Sequence, residues 1–363
     1  MAVLELTREL VEIPSHEDET AAGDHLEAWL RAETDAAVSR DEVGNVFARR
    51  GGGARTDASE TLALVGHHDV VPPAESQMAA GGTRYAVEER DGRLYGRGTA
   101  DMKGALAAAA VAFRDAEPSG PVVLASFVGE EVGGVGARHA IENGFAPEFA
   151  VVGEGSTNYS GPGVTDVVVA HRGRRGSTIT ATGVASHASE PAAGENAIYR
   201  ATEAVDVVRT LDVPAVEVAG EVLSGSAAVT EIEGGSAINV VPDRCTVTVD
   251  ERTVPGERAA LETVESIPGV EWTVDQDLPP MECTDESFRR SVLEAADAVQ
   301  SGTPRAVTKP HATDAGWLSQ AGTECVICGP AESGEAHTED ESVSIEVLDR
   351  CERIYRRVVE GYW

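Results

Sequence analysis

Basic residues are scarce in this chain: 29 stand against 62 acidic ones over 363 residues, and lysine occurs only at positions 103 and 309, leaving a formal charge of −33. So acidic a surface repels a phosphate backbone, which excludes nucleic acid as a partner. It also costs self-repulsion in dilute buffer. Screening lengths fall to about 3 Å at 1 M salt, however, so the same surface keeps a protein soluble where salt is concentrated. The charge is spread along the whole chain, which points to a halophile's solvent rather than to one cationic ligand.

Paired cysteines are also missing. The five present, Cys245, Cys283, Cys325, Cys328 and Cys351, are scattered and odd in number. No basic segment followed by an apolar one opens the chain, so the reading is a reducing, cytoplasmic compartment. Cys325-Val326-Ile327-Cys328 has the spacing of a redox or zinc pair but no second pair to complete a site. It lies in a strand-like run whose alternation sends the two sulfurs to opposite faces, and it reads as two small core residues. No apolar run reaches the roughly 20 residues of a membrane span, so no membrane partner is expected. With 42% hydrophobic residues the chain can fill a core without staples.

Up to about residue 164, helix-like and strand-like segments alternate, and the strands at 62–65, 122–128 and 149–152 are unbroken apolar runs suited to a sheet covered by helices on both faces. An alanine-rich helix over 105–116 has Asp101 near its start, a favoured place for an acidic residue. From 172 to 276 the order changes to strand (176–182), helix (195–211), strand (227–233), strand (244–253), helix (257–266) and strand (270–274). That is the split βαβ order of a ferredoxin-like unit able to fold as an insertion. The first pattern then returns, with a helix over 286–299, a strand over 324–328 and a terminal helix over 342–359. The expected architecture is α/β: a mixed-sheet, three-layer domain in two parts (1–171 and 277–363), with a ferredoxin-like domain (172–276) inserted between them.

The run Gly66-His67-His68-Asp69-Val70-Val71-Pro72 closes the first of those strands. Alternation puts His67 and Asp69 on one side and His68 on the other, so His67 can bind a metal while Asp69 holds the ring's other nitrogen and raises its basicity. Further acidic or histidine groups fall where strands end: Asp101, the Glu130-Glu131 pair, Glu154, and His337 ahead of the terminal helix. Sites in open α/β sheets gather at the carboxyl ends of strands. Several carboxylates in one cleft repel and force some to protonate unless cations are present. Two divalent ions with one bound hydroxide nearly balance Asp101, Glu131 and Glu154, one carboxylate bridging them and one histidine serving each. Nitrogen and oxygen donors without thiolates fit zinc, with cobalt or manganese tolerated. Such a pair supplies a hydroxide near neutral pH, and the spare glutamate of the pair carries its proton to a leaving amine.

These motifs resemble the two-zinc metallopeptidase and amidohydrolase family that contains succinyl-diaminopimelate desuccinylase, acetylornithine deacetylase and glutamate carboxypeptidase. The resemblance runs nearly the whole length through GHHDVVP, GRGTADMKG, GEEVGG, GEGS and AHTEDE, in the family's order. It implies that His67 and Glu154 bind one metal, Glu131 and His337 the other, that Asp101 bridges them, that Asp69 orients His67, and that Glu130 is the general base. It further implies a zinc-exopeptidase-like catalytic domain, a cis peptide after Asp101, and an inserted domain that is a lid through which the protein forms a homodimer. Within that domain His187 matches a histidine that stabilises the tetrahedral oxyanion, and Asn239 and Arg252 match positions that hold a substrate carboxylate. A guanidinium fork suits that last task. Between Pro73 and Leu94 the chain departs from the family, with Ala79-Ala80-Gly81-Gly82-Thr83-Arg84-Tyr85 in place of a tryptophan and a Pro-Phe pair, a change that bears on substrate preference.

The expected reaction is metal-dependent hydrolysis of the amide of an N-acyl amino acid, by a desuccinylase or acetylornithine deacetylase chemistry. The alternative is a carboxypeptidase or dipeptidase acting on short peptides with the same centre, and a remote one is an inactive dimeric binding protein, against which the intact Glu130 speaks. Of the remaining polar residues, His16, His25 and His139 read as exposed, His171 lies at the lid boundary, Lys103 pairs with a carboxylate or acts on substrate, and Thr313 and Asp314 wall the pocket.

Overall fold

The computed structural model describes residues 2–51 and 61–361. It divides into two compact units, one built from Met1–Ala170, Glu282–Thr308 and Thr313–Trp363, the other from His171–Met281 with Lys309–Ala312.

In the first unit, four strands lie parallel in the order Val122–Phe127, Leu62–His67, Phe149–Val152, Glu324–Ile327. The first three are buried at every position, so they lack the polar alternation of a half-exposed sheet. Helix Lys103–Asp115 packs on strand Leu62–His67, and helices Ala2–Glu12 and Ile345–Gly361 pack on that helix. Helices Val135–Glu142 and Asp314–Gln320 pack on each other and on the sheet. Antiparallel strands complete the edges: Val46–Arg50 and then Ala37–Arg40 beyond Val122–Phe127, and Val167–His171 beside Glu324–Ile327. The sheet is therefore mixed, and its four parallel strands all end on one side, at His67, Phe127, Val152 and Ile327.

The second unit is a four-stranded antiparallel sheet ordered Ser226–Gly234, Arg244–Thr253, Gly173–Thr182, Val270–Leu278. Helix Ala197–Thr210 buries Ala197, Ala201, Ala204 and Val208 against Ile179, Val247 and Val249. This is the ferredoxin-like order.

Three segments differ from the sequence reading. The helix expected over 257–266 shrinks to a 3₁₀ turn, Leu261–Ser266. Ahead of it the Ala259 N–H donates to Glu251 at 3.2 Å, and its carbonyl accepts from Arg175 at 2.8 Å and from the Leu261 N–H at 2.9 Å, a two-residue spacing outside the helical pattern. The terminal helix begins only at Ile345, because Ser342–Ser344 is a strand paired antiparallel with Arg93–Tyr95. A hairpin of Ala215–Val218 and Glu221–Ser224, absent from the expectation, follows helix Ala197–Thr210.

Candidate metal centre

Residues far apart in sequence meet where the four parallel strands end. His67 is the last residue of its strand; Glu130 and Glu131 follow Phe127 after a turn at Gly129 (φ +61°); Glu154 follows Val152. The turn at Gly129 needs glycine, since a Cβ there would crowd Val132 and Val135 in a backbone region that favours it. Asp101 precedes helix Lys103–Asp115 across a cis peptide to Met102. His337 enters from the segment ahead of the last helix with φ +64°, an uncommon conformation for histidine and one that clusters at functional sites.

The buried His67 ring sits at the centre of the cluster. Its Nδ1 lies 3.1 Å from the Asp69 carbonyl oxygen and 3.3 Å from the Asp69 carboxylate, so the aspartate holds the ring through backbone and side chain together. The Asp69 carboxylate also accepts the Glu131 N–H at 3.0 Å, tying the two loops. His67 Nε2 lies 3.1 Å from Asp101 Oδ1 and 3.4 Å from Glu154 Oε1. His337 Nε2 lies 3.2 Å from Asp101 Oδ2 and 3.1 Å from Glu131 Oε1. The Asp101 carboxylate thus turns one oxygen to each histidine. His68 points the other way, with Nδ1 2.7 Å from Ser126 Oγ, and burial pushes its pKa down to about 3, leaving it a neutral core residue.

Electrostatics show what the donors want. Burial alone lowers the His67 pKa, but Asp69, Asp101 and Glu154 override it and hold it well above the usual value. Hydrogen bonds to Asp101 and Glu131 push His337 up to about 10. Burial raises the Asp101 pKa, and the two histidines override that and hold it below the usual carboxylate range. Burial pushes Glu130 well above its usual value, opposed by His67 and helped by Asp314, Glu154 and Asp101. Both rings are thus surrounded by carboxylates that favour positive charge between them. Donor atoms of His67, Glu130 and Glu154, and of His67, Asp101 and Glu131, lie within 4.8 Å of one another, close enough for each set to hold one ion. Imidazole and carboxylate donors on a carboxylate-rich floor fit divalent cations of the zinc, cobalt and manganese group.

His187, Asn239 and Arg252 belong to the second unit. His187 is exposed on the short strand Ser186–His187, paired with Val240–Val241. Its Nδ1 accepts the Ser189 N–H at 3.2 Å, which leaves the hydrogen of the neutral ring on Nε2 and makes that atom a donor. Asn239 is exposed beside it, its carbonyl accepting the Ala188 N–H at 2.9 Å. Arg252 lies on Arg244–Thr253 with Nε donating to Asp250 at 2.8 Å.

Other polar residues fall into place. Among the described residues Lys103 forms no ion pair: it is fully buried, and Nζ donates to the carbonyls of Leu10 and Ile13 at 3.0 and 2.7 Å, fastening the end of the first helix. His16 is half-buried in a loop, with Nδ1 2.7 Å from the Tyr85 hydroxyl, and His25 and His139 are also partly covered rather than exposed. His171 is buried, with Nδ1 2.9 Å from the Arg172 carbonyl. Thr313 caps helix Asp314–Gln320, and Asp314 is buried with neither carboxylate oxygen hydrogen-bonded among the described residues. The sequence reading passed over Glu341, whose buried pairing with Arg97 links two of the motifs. An arginine within the GRG motif and a glutamate within AHTEDE were the available signal.

A family model described as peptidase family M20/M25/M40 matches residues 63–361. An acetylornithine deacetylase of Myxococcus xanthus is 32% identical, over 93% of this chain and 91% of its own length. Among solved structures, the aminopeptidase PepT of Bacillus cereus superposes with a TM-score of 0.78 at 20% identity, covering 99% of this chain and 97% of that one. A dinuclear metal binding peptidase of Bacillus subtilis from the M20 family gives 0.70 at 18% identity, with 98% and 96% covered.

Proposed function

We propose, for a chain that belongs to peptidase family M20/M25/M40 and is a metal-dependent hydrolase of carbon–nitrogen bonds, that its substrate is an N-acyl amino acid cleaved at the acyl amide. The observation that supports the metal-dependent part of the reading is the Asp101 carboxylate, one oxygen directed to His67 with Glu154 beside it, the other to His337 with Glu131 beside it; the acyl substrate rests on the deacetylase relative. In this reading His67 and Glu154 would hold one ion, His337 and Glu131 the other, and Asp101 would serve both. Two divalent cations, zinc first among them, supply when bound the positive charge that acidifies water and polarises a carbonyl.

The chain's own residues do the rest. Asp69 fixes the His67 ring through Nδ1, which would leave Nε2 as the donor atom for an ion. Glu130 takes the proton of the attacking water and returns it to the nitrogen of the departing amine. His187 donates Nε2–H to the oxygen that gains charge at the tetrahedral stage, a role that holds whichever copy of the chain presents it. Asn239 and Arg252 take the substrate carboxylate. The deacetylase relative supports an acyl rather than a peptidyl substrate.

The test is a substrate panel of N-acetylornithine, N-succinyl-diaminopimelate and dipeptides, assayed in molar salt before and after chelation. Hydrolysis of an acyl amino acid, lost on chelation and restored by zinc or cobalt, is expected. Cleavage of dipeptides alone overturns the substrate assignment.

A further inference from the structure

A carboxylate outside the proposed ligand set fastens two of its members together. Glu341 lies in the same Ala336-His337-Thr338-Glu339-Asp340-Glu341 run as His337, and its side chain is 0% exposed. Its Oε1 accepts three backbone hydrogen bonds, from the N–H groups of Gly98 at 2.9 Å, Ala100 at 3.0 Å and Asp101 at 3.1 Å. Its Oε2 accepts from the Arg97 guanidinium. Its own carbonyl accepts the Gly96 N–H at 3.0 Å, which prolongs the ladder between Ser342–Ser344 and Arg93–Tyr95. The whole turn from Gly96 to Asp101 is folded around this one side chain.

A buried carboxylate needs this many donors to stay in the interior, and backbone N–H groups converging on one oxygen form an anion nest. Here the nest is made from the loop that ends in Asp101, and the anion comes from the segment that carries His337. One of the three donors is the backbone N–H of Asp101 itself, so the anchor acts on the residue whose two oxygens lie 3.1 Å from His67 and 3.2 Å from His337. A small displacement of that backbone moves both oxygens. We propose that Glu341 is the positioning residue for the bridging aspartate, fixing the Asp101 loop to the His337 segment and thereby setting both ion sites at once. The proposal rests on Asp101 and His337 being metal ligands, as given above.

Glu341→Gln keeps one acceptor oxygen but turns an amide hydrogen toward Arg97, and Glu341→Ala removes the anion outright. Both are titrated metal-free with zinc or cobalt by calorimetry, after circular dichroism has shown native secondary structure. Removing a group that supports a ligand typically weakens metal binding 10–100-fold, so an affinity loss of about that size is expected for Gln and a larger one for Ala. The second readout needs no variant and no metal: in metal-free wild-type protein the amides of Gly98, Ala100 and Asp101 exchange slowly, and in folded Glu341→Gln they exchange faster. A folded variant that takes up both ions with wild-type affinity overturns the proposal, and so do fast-exchanging amides in the wild type. Wild-type protein that takes up no metal instead overturns the ligand reading beneath it, while slow amides would still show the anchor.

Discussion

Replacing Glu130 with glutamine preserves its size and removes its capacity to carry a proton. The glutamate sits in a buried cluster, its donor atom within 4.8 Å of those of His67 and Glu154, and burial with the neighbouring carboxylates raises its pKa well above the usual range. That geometry admits two roles, proton carrier or third ligand beside His67 and Glu154, and the size of the defect separates them. A lost general base costs about 10²–10⁴-fold in kcat, or roughly 3–5 kcal/mol of transition-state stabilisation. In that case KM and metal content stay at the wild-type values, because the cage of His67, Asp101, Glu131, Glu154 and His337 is intact. A lost ligand instead lowers occupancy, and activity falls in proportion and returns with added metal. The assay is steady-state kinetics on an acylated amino acid beside elemental analysis of the same sample. Wild-type turnover with two ions bound, or a defect cured by excess zinc, refutes the assignment of Glu130 as the base.

Burial, opposed by His67 and helped by Asp69 and Glu154, pushes the Asp314 pKa up to about 8 from an ordinary 3.8. In metal-free protein the folded chain then holds a proton that the unfolded chain releases, so this group's stabilisation is complete below pH 3.8 and is lost as pH rises through about 8. Asp314→Asn cannot ionise, and its stability advantage over wild type in urea titrations should therefore grow from about pH 5 to about pH 9. Lys103→Met strips the Leu10 and Ile13 carbonyls of their donor and should lower unfolding stability by about 1–3 kcal/mol, read from denaturant midpoints. With a formal charge of −33, the thermal midpoint should rise steadily between about 0.1 and 2 M sodium chloride; a flat or falling curve contradicts the reading of the acidic surface as an adaptation to salt.

Local signals carried most of the architecture. The apolar runs at 122–128, 62–65 and 149–152 became the buried parallel strands, because a strand covered on both faces has no polar alternation to hide it. The acidic and histidine residues that follow them in sequence were bound to meet at one edge once those strands were parallel. Non-local pairing was harder to read. Ser342–Ser344 carries no signature that separates it from the helix it precedes, and it becomes a strand only because Arg93–Tyr95 lies beside it. Residues 257–260 have helical composition, but a buried arginine–glutamate pair claims the backbone of Ala259. Lys103 follows Asp101 closely enough to suggest chemistry, yet its length carries the amine away to a helix end. Glu341 was hidden for the opposite reason, since an acidic residue in so acidic a chain attracts no notice until its three backbone donors and Arg97 are seen.

The most direct test of the central claim is anomalous scattering at the zinc edge from crystals grown with that ion. Two peaks are predicted, about 3.5–4 Å apart, one against His67 and Glu154, the other against His337 and Glu131, with Asp101 between them. A single peak, or none near these five side chains, contradicts it.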